Sequence, residues 1–267
     1  MTSTLQFSIN LARQVGQFLI EQYDKTMLET NIKNDHSAVT AADISADHLI
    51  TNSIHENYPN DGILSEELQP VVSGEFEEKN KAVWVIDPLD GTTNYSLGLK
   101  VWGVLITRVV NGQPEMSVLN FPMLGELYHT QLDVGAFLND KQIFVEQPNP
   151  KRPFSFFACC SRTFRNYDVT VPYKTRILGS AAYTFCTVAR GTAILGFEAA
   201  PKIWDIAGAW LLISEAGGTI YSFEDRQPFP LNTDVNYSQV SFPTIAAATK
   251  KIAYTGKNQI HPKKGEL

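Results

Sequence analysis

The sequence predicts an α+β fold made of two unlike halves, and three observations predict it. A helical rhythm opens the chain, a succession of short β-branched runs follows, and beyond a proline-rich break strand and helix alternate.

The first thirty residues read as a helix, with Leu5, Ile9, Ala12, Gly16, Leu19 and Tyr23 recurring on one face. A second helix opens at "TAAD", where Thr40 is placed as the cap and Asp43 completes an approximate capping box. Ala46, Leu49, Ile50 and Ile54 predict its inward face, and Pro59 lies beyond its end. From "GILSEE" onward the texture is that of strands: "AVWVID", "WGVLITRVV", "MSVLNFP", "GELYHTQ" and "GAFLND", with "NGQP" as a hairpin signal. The stretch "EQPNPKRP" predicts a boundary, dividing an N-terminal α+β half (1–146) from a C-terminal α/β half (147–267). In the second half "FSFFACC" and "TAILGFE" read as strands. "GSAAYTFCTVARG" and "WDIAGAWLLISEAGG" read as helices ended by glycine, the latter with Ile206, Trp210 and Ile213 on one stripe. The polar tail after Lys250 predicts a short or frayed end.

Composition narrows the function. With 43% hydrophobic and 11% aromatic residues the chain is that of an ordinary globular protein. A net charge of −6, with no cationic block beyond a short "PKK", argues against nucleic acid as the main partner. A small anionic ligand escorted by a divalent metal remains open. No secretory signal and no apolar run approaching the roughly 20 residues needed to cross a bilayer are visible, so no membrane partner is expected. Cys159, Cys160 and Cys186 are odd in number and lack a C-x-x-C spacing, which predicts unpaired thiols in a reducing cytoplasm.

The chemistry concentrates in "VWVIDPLDGTT". Asp87 and Asp90 stand three residues apart where a strand meets Pro88, which predicts that the strand ends there. Gly91 permits a tight turn, and Thr92 and Thr93 suit a helix start. Two anions brought to one point repel unless a cation lies between them, and oxygen ligands suit a hard ion such as Mg²⁺. Beside a helix N-terminus, such a pair is a phosphate site in outline. "ILSEE" adds Glu66 and Glu67 after an apolar run, and "IWDIAGA" adds Asp205 at a helix start.

"DPLDGTTN" and "WDIAGAWLLISEAGG" resemble the two signature motifs of the inositol monophosphatase family, within the lithium-sensitive, metal-dependent sugar phosphatases. "VTAAD", "ILSEE", "GAFLN" and "LGSAA" resemble its secondary landmarks in the same order, so the resemblance runs from about residue 5 to residue 250. It implies a layered α-β-α-β-α sandwich with the site between the halves, a homodimer, and two or three Mg²⁺ per site. It further implies Glu66, Asp87, the Leu89 carbonyl, Asp90 and Asp205 as metal ligands, Asp87 bridging. Thr92 with Glu66 would orient the attacking water, and the amides of Gly91 and Thr92 would hold the phosphate. Asp90 and Asp205 also border the substrate, Gly179, Ser180 and Ala181 line its side, and Glu198 contacts sugar hydroxyls.

The implied activity is hydrolysis of a small phosphate monoester by direct attack of metal-activated water, inositol 1-phosphate being the default substrate. Histidinol phosphate, fructose 1,6-bisphosphate and 3′-phosphoadenosine 5′-phosphate are the alternatives, and a non-catalytic regulatory role is a different kind of answer. Asp43 is read as a capping residue with a possible part in orienting water. Lys33 lies near the position of a lysine that approaches the site in the family. Asp133 replaces a common glycine before "VGAF", and Leu97, Trp102 and the "SRTFRNYD" loop are candidates for shaping specificity.

Overall fold

The computed structural model describes residues 2–23, 31–32, 38–39, 41–67, 82–147, 155–232 and 234–263. The Thr40 cap, Lys33 and most of the proline-rich boundary segment lie outside these residues.

Two helices lead: α1 (Ser3–Tyr23) and, after the short strands β1 (Asn31–Ile32) and β2 (Ala38–Val39), α2 (Ala41–Asn57). A seven-stranded sheet follows in simple order: β3 (Gly62–Ser65), β4 (Ala82–Asp90), β5 (Gly103–Val110), β6 (Gln113–Phe121), β7 (Glu126–Gln131), β8 (Gly135–Leu138) and β9 (Lys141–Ile143). The short helix α3 (Thr92–Ser96) joins β4 to β5. β3 runs parallel to β4, and each later pairing is antiparallel. Then come β10 (Phe156–Cys159), α4 (Ser161–Asn166), β11 (Tyr167–Val169), β12 (Lys174–Ile177), α5 (Ala181–Ala189), β13 (Ala193–Glu198) and α6 (Ile203–Glu215). The chain continues through β14 (Thr219–Ser222), β15 (Thr244–Ala247), α7 (Lys250–Lys257) and β16 (Ile260–Pro262). A five-stranded sheet has the order β12-β10-β13-β15-β14, and β11 pairs with β16 apart from it.

Side-chain alternation sets the layers. Along β4, Trp84 and Ile86 enter a core shared with α1 and α2, whereas Val83 and Val85 enter a core shared with α5 and α6. Both faces of the strand are therefore covered, which is why it is apolar without a break. A third core places Phe157, Leu195, Phe197 and Ile245 of the five-stranded sheet against Ala253 of α7. The order is α1 and α2, large sheet, α5 and α6, small sheet, α7: the layered α-β-α-β-α sandwich expected.

Four local expectations change. Leu49 is 37% exposed, because the inward face of α2 is completed instead by the polar Asp43, Asp47 and Thr51. The tail from Lys250 to Lys263 is ordered: Ala253, Gly256 and Ile260 are buried, and β16 pairs with β11. "SRTFRNYD" is the helix α4 running into β11 rather than a loop. Trp102 is fully buried against Tyr23 and Tyr95, out of reach of a substrate. Asp133 holds the left-handed conformation (φ 61°) that a glycine would occupy without strain.

Candidate active site

β4 continues through Pro88 to Asp90 rather than ending at the proline. Asp87 pairs with Leu105 and Asp90 with Gly103, so three steps on β4 face two on β5, with a register shift between. This is a β-bulge, and its extra residue reverses the side-to-side alternation. Two carboxylates that a regular strand would point oppositely are thereby turned the same way, and the Asp90 charge acts on Asp87. The proline fits the bulge because a regular ladder would need its missing N–H.

Glu66 arrives from the parallel neighbour. Its N–H donates to the Ile86 carbonyl at 3.2 Å, fixing the end of β3 beside β4. Asp205 arrives from the first turn of α6, where its Oδ2 accepts the Lys202 N–H at 2.7 Å. Carboxylate oxygens of Glu66, Asp87 and Asp205 lie within 4.8 Å of one another. Burial pushes the Asp87 carboxyl well up, helped by the charges of Glu66, Asp90 and Asp205 and opposed by the Leu89 N–H that donates to it at 3.0 Å. Asp205 is likewise pushed well up by burial, Glu66 and Asp90. Three converging acids with only oxygen donors are a fitting seat for a hard divalent cation.

Asp90 stands outside that group of three. Ser180 Oγ donates to its Oδ2 in a short hydrogen bond, and the Ala181 N–H donates to Oδ1 at 3.2 Å. Burial pushes Asp90 up to about 7, against the pull of these donors. The approach of α5 to Asp90 depends on two glycines. A Cβ on Gly179 (φ 77°) would lie 2.6 Å from Asn94 Oδ1, and one on Gly91 (φ 87°) would lie 2.9 Å from the Val101 carbonyl. Asn94 in turn donates to the carbonyls of Val101 and Leu178, at 2.7 and 2.9 Å.

Thr92 Oγ1 lies 2.9 Å from Asp43 Oδ1 and 3.0 Å from the Leu89 carbonyl, with its proton directed to either. Asp43 is buried and turned toward Thr92, so its position has an explanation besides capping. From sequence Asp43 reads as a capping residue first and a water-orienting one second; the contact with Thr92 favours the second. Glu198, at the end of β13, is buried and pushed up to about 8 by burial, with Thr184 and Cys160 donating to it and Asp90 repelling it. It also acts on Asp205, so it faces the same space.

The family model described as the inositol monophosphatase family matches residues 1–254. The chain belongs to the inositol monophosphatase family. Within it, a histidinol-phosphatase of Chlorobaculum parvum is 31% identical over 85% of this chain and 88% of its own length. The Nus factor SuhB of Pasteurella multocida is also 31% identical, over 98% of this chain and 97% of its own. The solved Thermotoga maritima IMPase superposes with a TM-score of 0.76 at 25% identity, covering 96% of this chain and 97% of that one. Family membership makes the chain a phosphoric monoester hydrolase. No described helix is long and apolar enough to cross a membrane, and the three cysteines are free.

Proposed function

We propose that the chain is a Mg²⁺-dependent phosphatase that hydrolyses a small phosphate monoester, inositol 1-phosphate in first place, by direct attack of water. The convergence of Glu66, Asp87 and Asp205 carries this reading. Two or three Mg²⁺, held by these residues with the Leu89 carbonyl and Asp90, would supply charge that eases deprotonation of water and offsets the charge on the phosphoryl oxygens.

The remaining work falls to the chain's own groups. With its proton committed to Asp43 or Leu89, the Thr92 hydroxyl keeps lone pairs free to accept a hydrogen bond from the attacking water. Asp43 behind it draws on the hydroxyl proton, and Glu66 is the basic partner on the other side. The new P–O bond forms as the ester P–O bond breaks, and the departing alcohol recovers a proton from solvent. The amides of Gly91 and Thr92, at the start of α3, orient the phosphate. Gly179, Ser180 and Ala181 border the alcohol portion, with Glu198 available to its hydroxyls.

A phosphate-release screen tests this: inositol 1-phosphate, histidinol phosphate, fructose 1,6-bisphosphate and 3′-phosphoadenosine 5′-phosphate, each with and without Mg²⁺, ranked by kcat/KM. Release that requires Mg²⁺ is expected, with inositol 1-phosphate first and lithium inhibitory; release unaffected by chelation sinks the reading. A homodimer is assigned to the same protein, consistent with Leu97 and Leu99 standing 71% and 52% exposed on one loop, and light scattering of the purified chain reads it. The free thiols suit a cytoplasmic setting.

The near full-length match to a Nus factor favours a second, regulatory role in transcription beside the enzyme. An Asp87→Asn variant that rescues a deletion phenotype supports that role; one that fails to rescue confines the function to catalysis.

A further inference from the structure

Asp90 differs from its neighbours in having its carboxylate occupied. Ser180 Oγ meets Oδ2, while the Ala181 N–H meets Oδ1 at 3.2 Å. The same Ser180 oxygen accepts the Tyr183 N–H at 3.0 Å, as the cap of α5. A hydroxyl has one proton, and with its lone pairs turned to Tyr183 that proton goes to Asp90. The carbonyl of Ser180 is occupied as well, by the Thr184 N–H at 3.1 Å, so the residue is held from both ends.

Resting on the metal-phosphatase reading, we propose that Ser180 is a positioning residue that sets how readily Asp90 is released to a cation beyond the one held by Glu66, Asp87 and Asp205. Any cation that engages Asp90 Oδ2 competes with the Ser180 hydroxyl for the same lone pairs. Asp87 and Asp205 take their hydrogen bonds from the N–H groups of Leu89 and Lys202 instead, so the two kinds of cation site should respond differently to a substitution at Ser180.

Mn²⁺ titration of the substrate-free protein, with free ion followed by electron paramagnetic resonance, reads this without turnover. The wild type should bind in two classes. Ser180→Ala should tighten the weaker class about tenfold, the effect of one hydrogen bond to a charged group, and leave the tighter class unchanged. Ser180→Thr, which keeps both hydroxyl and cap, should restore wild-type binding. If Ser180→Ala fails to fold, Ser180→Cys offers nearly the same volume with a far weaker donor. A weaker class that stays unchanged, or loosens, in the variant lacking the hydroxyl overturns the inference and leaves the phosphatase reading standing. Absence of any Mn²⁺ binding in the wild type overturns both.

Discussion

Two sets of acids share this cleft and are stabilised in opposite ways. Asp90 and Glu198 are surrounded by donors from the chain itself: Ser180, Ala181 and Ala182 for the first, Thr184 and Cys160 for the second. Asp87 and Asp205 receive one backbone N–H each, from Leu89 and Lys202, and otherwise face like charges. In the first set these donors offset part of the cost of burial, and both carboxyls are still raised, to about 7 and about 8. The second, joined by Glu66, needs a proton or a cation, because unpaired buried charge is among the costliest features a fold can carry. The contrast divides the proposed site into acids that have little but a cation to offset their charge and acids that also have donors from the chain.

The largest effect should come from the set that lacks donors. Asp87→Asn removes one of the three converging carboxylates, and kcat should fall by about 10³-fold or more with cation binding weakened in calorimetry. Asp90→Asn should cost at least ~10² in turnover while weakening cation binding less than Asp87→Asn does, since the amide keeps only one of the two acceptor oxygens that meet Ser180 and Ala181 and leaves the group of three intact. Equal losses of binding in the two variants would erase the distinction between the sets. Thr92→Ala and Asp43→Asn come next, each lowering kcat by about 10²-fold with KM nearly unchanged. Their double variant should be little worse than either single one, because the hydroxyl and the carboxylate act through one hydrogen bond.

The parts of this site that sequence could predict are those fixed by local pattern. Asp87, Asp90 and Asp205 stand at changes of texture, from apolar strand to turn or from turn to helix, and such changes are visible in a single chain. The bulge is different. It is a relation between β4 and β5, and residues 87 to 90 do not reveal that two partners across the ladder will face three. Read alone, Pro88 stops the strand; in the sheet it is absorbed by the irregularity. The contact between Asp43 and Thr92 is out of sight for a related reason, since the two lie 49 positions apart. Leu49 was misplaced because α2 turns acids inward, and hydrophobic periodicity has no means of predicting a buried polar stripe. The layered arrangement was legible only through resemblance to a family, as strand order follows from long-range pairing.

Proton linkage sharpens the same comparison. Asp87, Asp90 and Asp205 all have carboxyls raised above their unfolded values, Asp90 to about 7. The folded state therefore binds more protons, and stability present below the unfolded pKa near 3.8 is lost as pH rises through the folded values. In chelator the melting temperature should fall by about 5–10 °C between pH 5 and pH 8. Mg²⁺ should restore it, with little gain at pH 5, where protons already neutralise the acids, and the greatest gain at pH 8. A Mg²⁺ effect independent of pH would mean that the cation binds elsewhere.

Glu198→Gln should give the smallest effect, and for a reason that separates it from the other acids. With its carboxyl raised to about 8, Glu198 already carries a proton at pH 7, so an amide of the same shape replaces a neutral group with a neutral group. Stability at pH 7 should stay within about 0.5 kcal/mol of wild type, the range of a substitution that breaks no packing or charge pair. The sign emerges only in alkali: the wild type loses stability as pH rises through the folded pKa of about 8, whereas the variant has no proton to lose there. Denaturant midpoints compared at pH 7 and pH 9 read this directly. The variant should be level with wild type at the first and more stable at the second. A large loss at pH 7 would mean that Glu198 is ionised in the folded protein and belongs with the acids that need a cation.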